Sequence, residues 1–162
     1  MLAAIVLLAA CGDDDNIALN SSVLDAFHAR FPNANSVTWA SAGGYLVADF
    51  YLVEDGATAE CEAWFTPIGE WYMTQIELPY AALPVAVKAA FEASDYAAWG
   101  LDEVVKMEQV NEPIEYIIVA EGWLDGVESD VYLFYDEDGQ LLRSEINPDY
   151  EWLNCYYRAS CR

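Results

Sequence analysis

Apolar residues recur along this chain with two different periods. In Val23-Leu24-Asp25-Ala26-Phe27 they fall three and four positions apart, as on one face of a helix. The same pattern returns in Val87-Lys88-Ala89-Ala90-Phe91, at an offset of 64. Both segments predict short amphipathic helices. The first is entered through Ser21 and Ser22, whose hydroxyls can cap free amides, and is stopped by Pro32. The second begins after Pro84, a residue suited to a first helical turn.

Between and after these helices, runs of β-branched and aromatic residues predict strands. Val37-Thr38-Trp39, Tyr45-Leu46-Val47-Ala48, Ala63-Trp64-Phe65 and Trp71-Tyr72-Met73-Thr74-Gln75 follow the first helix. Val104-Val105-Lys106-Met107, Tyr116-Ile117-Ile118-Val119, Leu133-Phe134-Tyr135 and Leu141-Leu142-Arg143-Ser144-Glu145 follow the second. The Tyr45 and Tyr116 runs stand 71 residues apart, and the Ala63 and Leu133 runs stand 70 apart, as do Gly69 and Gly139. Pro67-Ile68-Gly69 and Asp136-Glu137-Asp138-Gly139 read as hairpin turns whose glycines supply a positive φ.

Each half therefore reads as one helix followed by about four strands, repeat one over 22–78 and repeat two over 84–147. The predicted fold class is α+β: two tandem helix-plus-antiparallel-strand repeats forming one joined antiparallel sheet packed on helices. A single unit has one helix and one small sheet, so the two halves are expected to share a core as one pseudo-symmetric domain, 22–147. Residues 148–162 form a C-terminal tail carrying Trp152, Tyr156 and Tyr157.

The N-terminus predicts an address. Residues 2–10 are an apolar run too short to span a bilayer but of signal-peptide length, and Leu8-Ala9-Ala10-Cys11 looks like a bacterial lipobox. The expectation is a signal peptide over 1–10, lipid attachment at Cys11 and an acidic tether over 11–21 that contains Asp13-Asp14-Asp15. No Lys or Arg precedes the apolar run, which points to a start further upstream. The predicted localisation is an outer-membrane lipoprotein, surface-exposed or periplasm-facing, touching the membrane only through its anchor.

Charge narrows the partners. The 162 residues hold 28 Asp and Glu against 6 Lys and Arg, a formal net charge of −22, which argues against nucleic acid and anionic lipid surfaces. The 56% hydrophobic and 14% aromatic content separates the chain from disordered acidic tails and predicts a packed core.

Little in the sequence marks catalysis. His28 is the single histidine, next to the core-facing Phe27, and reads as a surface or boundary residue. No nucleophile elbow, phosphate loop or zinc-ligand spacing occurs, so no catalytic residue, metal site or cofactor is assigned. With 28 acids some carboxylates lie close together by chance, and that count carries no hydrolase assignment. The Asp136–Gly139 segment lacks the downstream Glu of a calcium loop and reads as a turn. With Cys11 lipidated, Cys61, Cys155 and Cys161 remain, enough for one disulfide and one thiol. Cys155 with Cys161, or Cys61 with the tail, are both open pairings.

The order of elements resembles a known family. Phe31-Pro32, Val37-Thr38-Trp39, residues 45–50, residues 62–65, Gly69, Trp71 and Leu83-Pro84 together resemble the PepSY-like, beta-lactamase-inhibitor-protein-like family of secreted bacterial proteins. The resemblance implies tandem α/β units with a joined antiparallel sheet, an extracytoplasmic address and no known catalytic centre.

Strand alternation locates a candidate binding surface. Cys61, Ala63 and Phe65 alternate with Glu60, Glu62 and Trp64, and Val131, Leu133 and Tyr135 with Asp130, Tyr132 and Phe134. Continuing the alternation puts Trp71 and Met73 on the charged side, beside Leu141 and Arg143. The expected binding face is thus Trp64, Trp71, Met73, Tyr132 and Phe134 among carboxylates. The expected function is a non-enzymatic, lipid-anchored binding protein that recognises a basic or neutral protein, with inhibition of a secreted enzyme as one form of it. The alternative is a surface glycan-binding module.

Overall fold

A computed structural model describes residues 19–54 and 57–146. It is α+β, with helices α1 (Ser21–Arg30) and α2 (Val85–Glu92) and strands β1 (Asn35–Ala42), β2 (Tyr45–Glu54), β3 (Ala57–Phe65), β4 (Trp71–Glu77), β5 (Gly100–Gln109), β6 (Glu115–Leu124), β7 (Val127–Tyr135) and β8 (Leu141–Ile146). The strands form one eight-stranded sheet in chain order, every neighbouring pair antiparallel. The predicted signal peptide, Cys11, most of the acidic tether, the tail over 148–162 and its two cysteines lie outside the described residues. No described helix is long and apolar enough to cross a membrane.

The first helix is capped one residue earlier than the serines suggest. Asn20, in extended conformation, accepts the Val23 amide on Oδ1 at 3.0 Å, while its Nδ2 donates to the Pro67 carbonyl at 2.6 Å. Ser21 and Ser22 are therefore first-turn residues. The asparagine amide accepts on one atom and donates from another, so Asn20 fixes the helix start to the β3–β4 turn. At the other end the Phe31 amide closes on the Phe27 carbonyl at 2.8 Å, before Pro32.

Both helices pack on one face of the sheet. Val23, Phe27 and Phe31 meet Ala48, Phe50, Cys61, Ala63 and Phe65, and Val87 and Phe91 meet Val104, Ile118, Leu133 and Tyr135. Phe27 is the hub of the first cluster, edge-on to Phe50 at 5.1 Å and to Trp39 at 5.3 Å. Each such buried ring contributes on the order of 2 kcal/mol of transfer free energy.

The ladder pairs Val47 with Trp64 and Ala48 with Ala63, and pairs Ile117 with Phe134 and Ile118 with Leu133. Ile117 thus stands opposite Phe134 as Val47 stands opposite Trp64, an offset of 70, and at that offset Tyr45 falls on Glu115 rather than on Tyr116. The two-tyrosine match at 71 differs from this ladder frame by one residue, and in a pleated strand a one-residue slip exchanges the faces.

The turn glycines set the helices on the sheet. A Cβ at Gly69 (φ +92) would lie 2.7 Å from the Ser22 carbonyl oxygen, and one at Gly139 (φ +79) would lie 2.5 Å from that of Ala86. Each hairpin turn therefore presses on the backbone of a helix's first turn where no side chain fits. Gly44 also has a positive φ (+85) but faces open space. Gly69→Ala and Gly139→Ala are expected to lower unfolding free energy by about 3 kcal/mol each, and Gly44→Ala by only about 1 kcal/mol. Urea titration of the three variants checks this, and equal losses would show that the helix contact contributes nothing.

Candidate functional site

The sheet face turned away from α1 and α2, the outer face, is built in rows by the strand register. One row runs Ala40, Val47, Trp64, Met73, and the next Thr38, Asp49, Glu62, Gln75, Met107, Glu115. Farther along come Glu77, Val105, Ile117, Phe134, Arg143 and then Glu103, Val119, Tyr132, Glu145.

The aromatic set expected from alternation does not assemble as an exposed surface. Trp64, Met73, Tyr132 and Phe134 do point to the outer face, but they are 2%, 0%, 6% and 0% exposed and form its floor. Trp71 is on the opposite face. A bulge opposite Trp64 and Phe65 inserts Tyr72, so Met73 pairs with Trp64 while Trp71 pairs with the helix-side Phe65. There its ring lies 3.5 Å beneath the Arg30 guanidinium, and its Nε1 donates to Thr74 Oγ1 at 2.9 Å. The same bulge opposite Phe134 and Tyr135 pairs Leu141 with the helix-side Tyr135 and leaves Arg143 outside. Alternation carries no mark of an inserted residue. Tyr72 takes the outer position instead, stacked on Tyr45 at 4.8 Å and joined by its hydroxyl to Gln109 Nε2 at 2.9 Å.

The polar groups above the floor are strongly coupled. Glu62 stands between Asp49 on β2 and Gln75 on β4, and its Oε1 accepts the Trp64 indole N–H at 2.8 Å. Burial first, and the Asp49 charge second, push the Glu62 carboxyl from 4.5 up to about 8 against that hydrogen bond. Asp49 is raised as well, by burial and by Glu60. Gln75 is buried, and its Oε1 has no hydrogen-bond partner. Arg143 makes a two-pronged pair with Glu115 at 2.9 and 3.0 Å, its guanidinium 3.6 Å over the Phe134 ring.

Toward the β2–β3 and β6–β7 hairpins the outer face becomes an acidic strip. Glu103 is raised by burial and then by Glu77, Asp102 and Glu60; Glu121 is raised chiefly by Asp102. Asp102 sits at a bulge in β5, beside Glu103. Among the described residues, Glu60, Glu77, Asp102, Glu103 and Glu121 form no ion pair. The described cations are engaged elsewhere: Arg30 and Lys106 on Glu108, Lys88 on the Ala81 carbonyl, Arg143 on Glu115. Tyr51 (40% exposed), Val53 (50%) and Trp123 (70%) stand along this strip as its accessible apolar groups. The sequence carries a signal for Trp123, an aromatic close to the Asp125-Gly126 turn at the tip of a hairpin.

Other marked residues fall into plain roles. His28 is exposed on α1 beside Phe27, and Cys61 is buried on the helix side. Asp136 closes the β7–β8 turn, its Oδ1 accepting the Gln140 amide at 2.8 Å. Among the described residues no three His, Cys, Asp or Glu side chains are grouped as metal ligands.

This architecture can be set against known proteins. The sequence profile of the family described as "Putative beta-lactamase-inhibitor-like, PepSY-like" matches residues 49–143. The chain belongs to this PepSY-like family. A solved BLIP-like protein from Bacteroides fragilis is 34% identical, with 84% of this chain and 94% of that one covered and a TM-score of 0.72. A DUF2874 family protein from Bacteroides ovatus is 28% identical over 90% and 99% of the two chains, with a TM-score of 0.73. A third, from Bacteroides eggerthii and described as a "putative periplasmic" protein, is 25% identical over 83% and 94%, with a TM-score of 0.70. No curated protein matches.

The raised Glu62 carboxyl gives this PepSY-like domain a signed pH response. Folded Glu62 keeps its proton up to about 8, whereas the unfolded carboxyl loses it near 4.5. Glu62 therefore favours the fold at low pH, and this contribution is lost as pH rises between those values, by roughly 1.4 kcal/mol per pH unit. Glu62→Gln is expected to remove that slope and to leave the variant more stable than wild type above pH 8. Melting curves from pH 4 to 9 check it, and parallel profiles would show that Glu62 ionises normally.

Proposed function

We propose that this chain is a non-catalytic, extracytoplasmic protein-binding module that engages a basic protein across the acidic strip of its outer face. The observation that carries the reading is the crowding of Glu60, Glu77, Asp102, Glu103 and Glu121, in which burial and then the charges of Glu77, Asp102 and Glu60 raise the Glu103 carboxyl, Asp102 chiefly raises Glu121, and no ion pair among the described residues neutralises the five. A surface left in that state gains most from a partner that supplies the positive charge, and such complementarity governs encounter rate and specificity. Tyr51, Val53 and Trp123 supply the apolar contacts that binding sites concentrate. Trp64, Met73, Tyr132 and Phe134 hold this surface from beneath, and Trp71 acts from the far side by fixing β4 against α1 through Arg30.

The finer parts of the reading follow. The two halves are tandem units related at an offset of 70 in the strands and 64 in the helices, as the equivalent placement of Gly69 and Gly139 against α1 and α2 supports. The partner is a secreted enzyme in the inhibitor form of the proposal, in keeping with the beta-lactamase-inhibitor-like family. Residues 1–10 act as the signal peptide, Cys11 carries the lipid, and residues 11–21 tether the domain to the outer membrane. Trp123, flanked by carboxylates, also suits stacking on a sugar ring, which makes glycan binding the second reading.

Capture from the native cell envelope, beside Glu60→Lys/Glu103→Lys and Trp123→Ala, distinguishes these. A protein partner is expected to bind wild type, to lose at least about tenfold in affinity in each variant and to weaken in 0.5 M salt. A glycan would be lost with Trp123→Ala yet be indifferent to salt. Partners retained by all variants would end the outer-strip reading.

A further inference from the structure

We infer that Asp49, Glu62 and Gln75 form a socket of converging acceptor oxygens for a lysine ammonium group presented by the partner, an inference that rests on the protein-binding reading and names one contact within it. The three side chains stand side by side on β2, β3 and β4, one row on the outer face, fixed by the pairs Asp49–Glu62 and Glu62–Gln75. Directly opposed residues in such a ladder bring their Cβ atoms to roughly 5 Å, within reach of a single small group. Two are carboxyl groups, and the third is a carboxamide whose Oε1 is buried and unpartnered.

An orphaned buried acceptor costs about 1–3 kcal/mol, and here it lies beside carboxyl groups that are acceptors as well when ionised. Once Glu62 is ionised, the component missing from the row is a cationic donor. An ammonium offers three N–H bonds and no acceptor, matching one each to Asp49, Glu62 and Gln75, and among the described residues no three His, Cys, Asp or Glu side chains are grouped to hold a metal ion instead. Among the described residues no side-chain donor is bonded to Asp49 or to Gln75 Oε1. Trp64 Nε1 is committed to Glu62, Thr38 and Met107 end the row on either side, and beyond Met107 Glu115 already holds Arg143. Glu60, one row away toward the acidic strip, adds negative charge. The Trp64 and Val47 side chains of the adjacent floor offer an apolar wall for a lysine stem.

Occupation is a proton-for-cation exchange. The Glu62 carboxyl gives its proton to solvent, its carboxylate receives the ammonium, and no bond other than O–H breaks. Binding below about pH 8, where folded Glu62 holds its proton, therefore releases up to about one proton per ammonium.

The probe is n-butylammonium, titrated into the 15N-labelled protein at pH 7, with n-butanol and sodium chloride as parallel arms. Saturable shifts at the Gln75 side-chain amide and the Trp64 indole N–H are expected with butylammonium alone. Asp49→Asn and Gln75→Leu are expected to weaken it at least about tenfold. Calorimetry in buffers of different ionisation heat should show proton release that vanishes in Glu62→Gln. Equal shifts with sodium, or shifts unchanged in Asp49→Asn, would overturn the socket; Asp49 is only partly covered and outside the packed core, so that variant decides even if Gln75→Leu unfolds. Because the probe needs no protein partner, a socket that binds butylammonium survives failure of the capture experiment, and an empty one leaves the acidic strip to be judged separately.

Discussion

The contact that the rest of the molecule depends on is that of each turn glycine with the first turn of a helix. Gly69 and Gly139 come so close to the Ser22 and Ala86 carbonyls that backbone meets backbone. With Asn20 bonded to Pro67, the start of α1 is clamped to the end of its hairpin. A helix fixed there can bury Phe27, or in the second cluster Phe91, only against the one sheet face beneath it. Both helices consequently occupy the same side, and the outer face is left without a helical layer.

That asymmetry decides where the charge goes. The helix side is closed by apolar side chains, so the acids carried by the alternate positions of β2, β3, β5 and β6 collect on the other side, in rows separated by the spacing between strands. Arg143 is spent over Phe134 and on Glu115, inside the second half of the face. The first half, with Asp49, Glu60 and Glu62, has no such guanidinium in the equivalent place: the residue opposite Trp64 is Met73, where the residue opposite Phe134 is Arg143. One half of the face is thus internally compensated and the other is not.

The fold was legible in the sequence because two periodicities and two turn glycines survive in it without interference. Val23 and Phe27, and Val87 and Phe91, show the helix spacing, and the inward sets Cys61-Ala63-Phe65 and Val131-Leu133-Tyr135 show the strand spacing; all ten are buried. The site was far less legible. A bulge adds one residue without altering composition, so Trp71 was carried to the wrong face by the alternation that placed Met73 correctly. The match of Tyr45 to Tyr116 followed residue identity where ladder position was needed. Nothing in the chain singles out Glu62 from the other 27 acids, since its neighbours Asp49 and Gln75 come from strands 13 residues away on either side and meet it only through register.

The crowded carboxyls also change what the composition means. A formal charge of −22 counts every acid as ionised, yet at neutral pH Glu62 retains its proton, and Asp49, Glu103 and Glu121 are all displaced in the same direction. The outer face is therefore a charge-regulated surface whose potential is not fixed. Far from any cation the proton on Glu62 makes the face less negative than the count implies; as a cation approaches, that proton is shed and the charge grows where it is needed. Its field is strongest in the presence of the thing it attracts.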